Sequence, residues 1–270
     1  MKRYRIGDFA RELGVTPDFL KYCEKQGYLT PHTEANGYRY YDFISSAPII
    51  EYLKLRNQGF TAREINEALH ESSFDAAIAR MENRREALKR HIAYEQALLR
   101  HDDELSQMRG HFRAGEPVWQ VRRVEGFYFL PHSLEFDFIA EDAVREKVNV
   151  WNRYLPVVAS AKRLPRDAQG RLLSEGEGMY WGFSVEEGFA REVGLPTQPP
   201  VLHVPAQRCL ELFLIRDVKE RSAQYVETAE AIIARNGMRP AGDAYCRIIA
   251  KLWENGVRNE YSVMLVPVEA

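Results

Sequence analysis

The sequence lacks long apolar segments, closely spaced cysteines and a strong charge of either sign. No apolar run approaches the roughly 18 residues that span a bilayer, and the segment from Met1 to Asp8 turns polar before a signal peptide could form. The three cysteines, Cys23, Cys209 and Cys246, have no CxxC spacing, so neither a disulfide framework nor a metal site is predicted. We therefore expect a cytoplasmic protein with no membrane contact, no metal and no cofactor.

Bulk charge does not indicate a nucleic-acid partner either. The formal net charge is -2, and residues 1–70 contain ten basic and nine acidic side chains. Any affinity for DNA must therefore come from the local placement of cations. The 270 residues, of which 45% are hydrophobic, are enough for about two domains with cores of their own.

Two short helices joined by a glycine turn are predicted near the start of the chain. Apolar residues follow helical spacing over Ile6–Leu13, and Gly14 interrupts the pattern. Thr16 then offers an N-cap hydroxyl and Pro17 a first-turn proline to a second helix, which Gly27 should end. This order predicts a helix-turn-helix, in which the second helix enters the major groove of DNA.

The second helix has two different faces. Leu20 and Cys23 should pack inward, whereas the opposite face presents Asp18, Lys21, Tyr22 and Lys25. Asn36–Tyr41 then combines a tight Asn-Gly turn with three phenol rings and one guanidinium, a grouping that buries poorly and suits phosphates. We interpret this arm as a wing that grips the DNA backbone and leaves base choice to the helix. The predicted DNA contacts are Arg3, Tyr4, Thr16, Pro17, Asp18, Lys21, Tyr22, Lys25, Tyr38, Arg39, Tyr40 and Arg56.

These motifs resemble the MerR family of transcriptional regulators in order and spacing over the first seventy residues. The matching segments are Tyr4–Asp8, Gly14–Thr16, Leu20–Glu24, Gly27–Leu29 with Pro31, Asn36–Tyr41, Leu55–Thr61 and Glu64–Ile65. One departure is Lys21-Tyr22-Cys23, where the family usually has Arg-Tyr-Tyr, because lysine lacks the bidentate fork of arginine. The resemblance implies a homodimer that activates transcription by distorting promoter DNA for bacterial RNA polymerase.

The sequence gives two conflicting indications for the start of the third helix. The family pattern would begin it near Asp42, but Pro48 would then lie in its second turn and break a hydrogen bond. We expect a late start capped by Ser45 or Ser46, or a kink. Gly59 should end this helix, and Thr61–Glu64 forms a capping box for the fourth helix. By resemblance, this helix pair is a second wing.

A long helix is predicted from Phe74 to about Met108, roughly 50 Å at the usual rise per residue. It contains no glycine or proline, and its apolar stripe consists of Phe74, Ile78, Met81, Leu88, Ile92, Leu99 and Leu105. The stripe could pack against the rest of its own chain or against a second copy. The resemblance implies the second arrangement, an antiparallel coiled coil between two subunits, which also suits the two half-sites of an operator.

After a linker at 110–117 the pattern becomes α+β. Two predicted runs have the order strand, helix, strand: Val118–Leu130, Glu141–Leu155 and Gly178–Ser184, then Gln207–Arg216, Arg221–Asn236 and a hairpin of Tyr245–Trp253 with Glu260–Pro267. This duplicated layout resembles the GyrI-like effector domain of drug-responsive MerR regulators. We predict a multidomain protein: an all-α winged helix-turn-helix domain at 1–70, a dimerisation helix at 71–109, the linker, and a GyrI-like effector domain at 118–270.

A concave cleft between the two halves is a natural site for a small aromatic or amphipathic effector, cationic or neutral. Strand parity places Glu211 beside Phe213 and Glu125 beside Phe127, and either acid could meet a cation. By resemblance, the family's ligand tyrosine corresponds to Tyr261. The predicted ligand contacts are Trp151, Tyr154, Tyr180, Trp181, Phe183, Glu211, Phe213, Tyr245, Cys246, Ile248 and Tyr261.

The resemblance also raises a difficulty for a cationic drug. The family's aliphatic wall residue corresponds to Ile248, but its buried acid corresponds to Cys246, so a neutral aromatic ligand is equally compatible. Two alternatives stay open for this domain. It could hydrolyse small electrophiles with Glu211 or Glu187 beside Tyr180 or Trp181, although no nucleophile–His–acid grouping is present in the sequence, or it could bind a protein partner.

Overall fold

The computed structural model describes residues 1–35, 37–70, 73–112, 117–174, 178–219 and 223–269. The chain divides into two compact units, Met1–Glu86 and Ala87–Ala270. The turn residue Asn36, half of the predicted linker at 110–117 and the predicted helix start at Arg221 lie outside the described residues. The predicted multidomain architecture is confirmed: a helical N-terminal domain, one long helix and an α+β C-terminal domain.

The first two helices of the N-terminal unit agree with the prediction. Helix α1 spans Ile6–Leu13 and helix α2 spans Pro17–Lys25. Between them Gly14 has a φ of 66°, a left-handed conformation that favours glycine. The Thr16 side chain accepts a hydrogen bond from the backbone N–H of Phe19 at 3.2 Å, which is the predicted N-cap.

The wing is a three-stranded antiparallel sheet. Strands β1 (Tyr4–Arg5) and β2 (His32–Thr33) pair with opposite edges of β3 (Arg39–Tyr41), which is central. The register joins Tyr4 to Tyr41 and His32 to Tyr40. The sequence analysis did not predict that residues before α1 form an edge of this sheet, so the N-terminal domain is helical with a small β element.

The conflict at Pro48 is resolved by a late start. A short 3-10 turn at Ile44–Ser46 precedes helix α3 at Ala47–Asn57, so the proline lies in the first turn of α3. Ser46 occupies the N-cap position of α3, as predicted, but its side chain makes no cap hydrogen bond, because its hydroxyl donates to the carbonyl oxygen of Phe43 at 2.6 Å.

Helix α4 spans Ala62–His70 and begins with the predicted capping box. The backbone N–H of Thr61 donates to Glu64 Oε2 at 2.7 Å, and the backbone N–H of Glu64 donates to Thr61 Oγ1 at 3.3 Å. The fully buried side chains of the N-terminal core come from every element around it and include Phe9, Leu20, Tyr41, Ile49 and Ile65.

Helix α5 spans Phe74–Met108, as predicted, and continues through the division between the two units. Near its start the Arg84 guanidinium donates to the carbonyl oxygen of Gln58 at 2.7 Å, next to Gly59, whose φ of 86° favours glycine. In the second unit Ala93 and Ala97 of α5 are buried. Among the described residues, no helix combines the length and apolar content that a bilayer crossing requires.

The second unit contains one large antiparallel sheet and three further helices. The helices are α6 (Asp142–Trp151), α7 (Glu187–Val193) and α8 (Ala223–Arg235). The strands are β4 (Val118–Val124), β5 (Phe127–Leu134), β6 (Asp137–Phe138), β7 (Ala159–Leu164), β8 (Tyr180–Glu186), β9 (Leu202–Val204), β10 (Gln207–Asp217), β11 (Arg239–Pro240), β12 (Ala244–Glu254) and β13 (Val257–Glu269).

The strand order shows the duplication that the sequence predicts. Along the sheet the order is β4-β10-β13-β12-β7-β8-β5-β6, while β9 pairs with β5 and β11 with β13. One half consists of β5, α6, β7 and β8, and the other of β10, α8, β12 and β13. The halves meet where β12 pairs with β7. Each half therefore repeats the order strand, helix, hairpin.

Several details of this unit differ from the prediction, among them the short strands β6, β9 and β11, which were not predicted. The predicted strand Val118–Leu130 is two strands, β4 and β5, because Glu125 and Gly126 leave the sheet between them. Strand β7 and helix α7 were not predicted. Their sequences are short, and β7 contains a lysine and an arginine that weaken the apolar pattern.

The two faces of the sheet have different environments. On the helix face, which includes Leu210, Leu212, Cys246 and Met264, the strands pack against Ala229 and Ile233 of α8. On the cleft face, which includes Glu211, Phe213, Arg247, Val263 and Leu265, the strands line a cavity beside α5. Because side chains alternate along a strand, neighbouring residues of β10, β12 and β13 belong to different faces.

Candidate DNA interface and ligand cleft

The outer face of α2 presents part of the predicted DNA contacts. Lys21 Nζ donates to Asp18 Oδ1 at 2.9 Å, and both side chains are more than half exposed. Tyr22 is half-buried, with its ring centroid 6.2 Å from that of Tyr52 in α3. Lys25 is exposed and has no hydrogen bond or ion pair within the described part of the chain. The first-turn residues Thr16 and Pro17 are exposed too.

A carboxylate on α2 connects the helix to the wing. Arg39 Nη1 donates to Glu24 Oε2 at 2.6 Å, and the Tyr41 hydroxyl donates to the other oxygen, Glu24 Oε1. Glu24 therefore fixes the position of β3 relative to α2. The sequence analysis did not single out Glu24. Its spacing from Lys21 and Lys25 places it at the edge of the helix, but only the tertiary fold shows what it contacts.

The last wing tyrosine is a core residue, contrary to the expectation that the whole arm buries poorly. Tyr41 is 0% exposed, and its ring is stacked on that of Phe9 with centroids 5.1 Å apart. Burial raises the pKa of Tyr41, and the hydrogen bond to Glu24 raises it further. Tyr41 is thus removed from any contact with DNA, because β3 alternates and turns this side chain inward.

The remaining wing residues are accessible to different degrees. Tyr38 is 56% exposed, with the Arg5 guanidinium 5.1 Å from its ring centroid, while Tyr4 and Tyr40 are half-buried. Arg3 Nη1 donates to Glu34 Oε1 at 3.0 Å.

Arg56, at the end of α3, is exposed and has no ion pair within the described part of the chain. Exposed cations of this domain that form no ion pair with a carboxylate among the described residues include Lys2, Arg5, Lys25 and Arg56, and these could contact phosphates directly.

The geometry of the N-terminal unit defines a winged helix-turn-helix, a class of DNA-binding domain. Residues 5–41 match the profile of the MerR family regulatory proteins. The chain therefore contains a MerR-family helix-turn-helix domain at its N-terminus. No curated protein sequence matches the chain.

Solved structures with a similar arrangement include regulators and a hydrolase. A complex of EcmrR with DNA and RNA polymerase, solved by cryo-electron microscopy, is 18% identical over 98% of this chain and 99% of that chain, with a TM-score of 0.39. A MerR-family regulator from Bacillus cereus is 22% identical over 42% of this chain and 88% of its own, with a TM-score of 0.35. A Listeria innocua hydrolase is 9% identical over 60% of this chain and 97% of its own, with a TM-score of 0.38. At such scores we draw no functional conclusion from them.

A cavity of about 110 Å³ lies between α5 and the cleft face of the sheet in the second unit. Its helix wall consists of Ala97, Arg100, His101, Glu104 and Met108. Its sheet side includes Arg122, Phe127, Ser184, Glu211, Arg247, Val263 and Leu265, and Glu125, Glu186 and Phe189 lie at its border. The long helix, predicted only as a dimerisation element, therefore supplies one side of the cavity.

The buried acid of the cavity is Glu211. Arg122 Nε and Nη2 donate to Glu211 Oε2 and Oε1, each at 2.7 Å, and the Gln120 amide donates to Oε2 at 2.6 Å. Burial alone would raise the pKa of Glu211, but the hydrogen bonds from Arg122 and Gln120 outweigh it, and the pKa is lowered. Glu211 is therefore a carboxylate with its charge already compensated.

The structure brings together few of the eleven predicted ligand contacts. Only Glu211 borders this cavity, together with Glu125, the second acid that strand parity indicated. Phe213 and Tyr261 share the cleft face, but Phe112, just after α5, covers both, with ring centroids 5.7 and 5.5 Å away. Residues that pack elsewhere in the unit are Trp151, Tyr154, Tyr180, Trp181, Phe183, Tyr245, Cys246 and Ile248.

These other residues fall into four groups. Trp151 and Tyr154 belong to the core around α6 and α7, and the Trp151 indole N–H donates to the carbonyl oxygen of Pro196 at 3.2 Å. Phe183 borders a second cavity, next to His132 and Phe138. Tyr180 and Tyr245 pack on the cleft face outside the cavity, and Trp181, Cys246 and Ile248 lie on the helix face.

Sequence reasoning missed most residues of the cavity, among them Ser184, His101 and Arg247. Cys246 was assigned to the cavity, but its neighbour Arg247 is the residue that faces it. A one-residue difference in register exchanges the two faces of a strand. Burial lowers the pKa of His101, and the charge of Arg247 lowers it further, so His101 is neutral near pH 7.

The helix face holds a second buried acid, Glu260. Its Oε1 accepts from Lys162 Nζ and from Arg216 Nε, both at 2.9 Å, and Lys251 Nζ lies 3.3 Å from Oε2. Lys162 and Glu260 are both 0% exposed. The two lysine ammonium groups lie over the Trp181 ring at 4.5 and 5.1 Å from its centroid. This cluster has no access to the cavity.

No group of three or more His, Cys, Asp or Glu side chains within the described residues could hold a metal ion. All three cysteines are buried and free of disulfides, and burial raises the pKa of Cys23 and of Cys209 to about 11. These thiols are therefore protonated and poorly reactive at neutral pH.

Proposed function

We propose that this protein is a ligand-responsive transcription regulator that binds promoter DNA as a homodimer in the cytoplasm. Its N-terminal domain would hold DNA, and its C-terminal domain would act as a GyrI-like effector-binding domain. The proposal depends on one observation: Glu24 of α2 binds two residues of the wing and so holds the two elements together. Both elements lie in a domain that matches the MerR family.

The DNA-binding part rests on two elements of fixed relative position. The exposed face of α2 would enter the major groove, with Asp18, Lys21 and Tyr22 near base edges. Tyr38, Tyr40 and the outer guanidinium nitrogens of Arg39 would contact the backbone. Because one Arg39 nitrogen is held by Glu24, the others are oriented before DNA arrives, which lowers the entropy lost on binding.

The proposal of a dimer rests on the different exposure of two faces of α5. Ala93 and Ala97 are buried against their own unit, whereas the predicted stripe is accessible: Leu88 and Ile92 are 47% exposed and Leu99 is 67% exposed. Packing against its own domain therefore does not cover the stripe. A second copy of the same helix in antiparallel orientation would cover it and place two DNA-binding domains for two half-sites.

The effector role rests on the cavity between α5 and the sheet. A ligand there would contact Arg100, His101 or Glu104 of the helix that also carries the dimer stripe. Such a ligand shifts the protein between states only through its different affinities for them. Distortion of promoter DNA for RNA polymerase is the mode of activation that the family resemblance implies.

DNA binding is tested by fluorescence anisotropy on sequences that the protein selects from a random DNA library. At fixed salt, Arg39→Ala should weaken binding at least tenfold and reduce the salt slope by about one, as expected for one lost phosphate contact. Lys25→Ala should act in the same direction. Arg235→Ala is the matched control, because Arg235 is exposed on α8. Unchanged affinity in both N-terminal variants would refute the proposed DNA interface.

The dimer is tested by sedimentation. Leu99→Glu places a charge in the exposed stripe and should shift the protein from dimer to monomer at micromolar concentration. Leu252→Glu is the control, since Leu252 is 49% exposed on the β12–β13 hairpin. A wild-type protein that sediments as a monomer would rule out the α5 dimer.

A further inference from the structure

We infer that the cavity beside α5 takes an acidic ligand, an aromatic carboxylate or a similar small anion, which Arg247 and Ser184 hold together. The inference rests on the proposed effector role of the C-terminal domain and names the ligand class. It differs from the cationic or neutral ligand that the sequence predicts.

The Arg247 side chain is a cation that forms no ion pair within the described residues. It is half-buried on the cleft face, where the register sets it between Val263 of β13 and Ala161 of β7. Within the described residues its side chain makes no ion pair and no hydrogen bond, although it borders the cavity. The one buried acid nearby, Glu211, is already engaged by both arms of Arg122. A planar guanidinium in this setting matches a carboxylate.

Ser184 provides an independent indication. Its side chain is 3% exposed and borders the same cavity, and its hydroxyl has no hydrogen-bond partner among the residues that the structure describes. A buried hydroxyl without a partner costs free energy, and a ligand acceptor would remove that cost. Because most buried polar groups in proteins are paired, an unpaired one at a cavity marks a place for a ligand atom.

The sheet register brings Arg247 and Ser184 within reach of one small molecule. Arg247 is paired with Ala161 of β7, and Ser184 of β8 is paired with Ala159 of β7. The two residues are therefore two strands apart across the sheet and two residues apart along it, about 12 Å at the backbone, and the long arginine side chain spans part of this distance. The residues between them on β7 are alanines, so no bulky side chain of that strand separates the two groups.

The number of charged side chains around the cavity does not indicate the charge of the ligand, but their positions do. The arginines are Arg100, Arg122 and Arg247, and the carboxylates are Glu104, Glu125, Glu186 and Glu211. Glu125 and Glu186 are exposed, where water screens them, and Glu211 is paired. Glu104 is half-buried on the helix wall, where its charge acts on Arg122: the hydrogen bond to Glu211 raises the pKa of that guanidinium, and the charge of Glu104 raises it further. His101 is the other titratable group, and its pKa is lowered. A cation in the cavity would lie beside the unpaired Arg247, whereas an anion would compensate it.

The size and the apolar lining of the cavity narrow the class of ligand further. Phe127, Phe189, Val263 and Leu265 offer apolar contact for a ring. A volume of about 110 Å³ is well below the ~300–1,000 Å³ of pockets for drug-sized molecules. A compact aromatic carboxylate of one or two fused rings fits these limits better than a drug-sized molecule.

The test uses three probes of one shape and different charge: 2-naphthoate, 2-naphthamide and 2-naphthamidine. Binding to the full-length protein is measured by calorimetry and by the shift in Tm at saturating probe. We expect 2-naphthoate to bind at least tenfold more tightly than the other two. Arg247→Ala should remove at least tenfold of that affinity, Arg247→Lys should restore part of it, and Ser184→Ala should weaken binding about threefold to tenfold.

The control variant is Arg258→Ala, an exposed arginine of β13 outside the cavity, which should bind all three probes as the wild type does. Tryptophan fluorescence checks that each variant is folded. Preference for 2-naphthamidine, or unchanged 2-naphthoate affinity in Arg247→Ala, would overturn the acidic ligand but leave the effector role intact. Binding of none of the probes would overturn the inference, while the DNA-binding test with Arg39→Ala decides the regulator role separately.

Discussion

The two faces of the large sheet each bury one glutamate, and the difference between them separates stability from binding. Glu260 on the helix face is enclosed by Lys162, Arg216 and Lys251. Glu211 on the cleft face has Arg122, whose side chain is 45% exposed, and it borders an open cavity. A closed cluster can only hold the fold together. An open cluster next to an unpaired arginine can also respond to a ligand.

The largest expected effect comes from breaking the closed cluster. Glu260→Gln leaves a fully buried lysine and two further cations without their carboxylate, and should lower the free energy of unfolding by about 3–5 kcal/mol. Urea unfolding followed by tryptophan fluorescence measures it, since all four tryptophans lie in the second unit. Glu227→Gln on the exposed side of α8 should change nothing measurable. A loss below 1 kcal/mol would mean that Glu260 contributes little to the stability of the fold.

The pH dependence of stability gives a second test of the difference between the two faces of the sheet. Burial would raise the pKa of Glu260, but Lys162 and Arg216 outweigh it and hold the pKa at about 2, below its unfolded value near ~4.3. Between these values the unfolded state binds more protons, so stability is present above pH ~4.5 and is lost as pH falls toward ~2, by up to ~1.4 kcal/mol per pH unit.

Urea titrations of the wild type and of Glu260→Gln at several acid pH values measure this slope. The slope should become shallower in the variant, which has no proton to bind at this position. Equal slopes would assign the acid sensitivity to other carboxylates, such as Glu211, whose pKa is also lowered.

The smallest effect is expected on the cleft face. Arg122→Ala removes a bidentate partner from Glu211 but leaves Gln120, and water can enter from the cavity. Because the arginine is 45% exposed, solvent screens the pair, and we expect a loss of only about 1 kcal/mol in the free energy of unfolding. Arg123→Ala, an exposed neighbour on β4, serves as the control. A loss as large as that of Glu260→Gln would erase the distinction between the two faces.

Much of the N-terminal domain could be predicted from the sequence, because its signals are local. Caps and glycine turns act within a few residues, so Thr16, Gly14 and the capping box at Thr61 were placed correctly. The roles of Tyr41 and Glu24 were not predictable in the same way. They depend on which side of β3 meets α2, and that is a tertiary contact.

The cavity was harder to predict for a physical reason. Aromatic residues in strands are common in any core, and their identity does not say which face they occupy. The strand β12 also has a register shift between Ile248 and Ala250, so a residue-by-residue alignment of the hairpin exchanges its faces. Finally, one wall belongs to α5, whose inward residues, such as Ala97 and His101, carry no ligand signature.

Two different sides of α5 carry required contacts, and this requirement constrains the length of the helix. Ala93 and Ala97 must face the sheet while Leu88 and Leu99 face outward, and both requirements depend on the same helical phase. Inserting one residue between Ile92 and Ala93 would turn Leu88 and Ile92 by about 100° relative to Ala93 and Ala97, whereas seven residues, close to two turns, would nearly restore the phase. Natural variation in this segment should therefore come in steps of about seven residues.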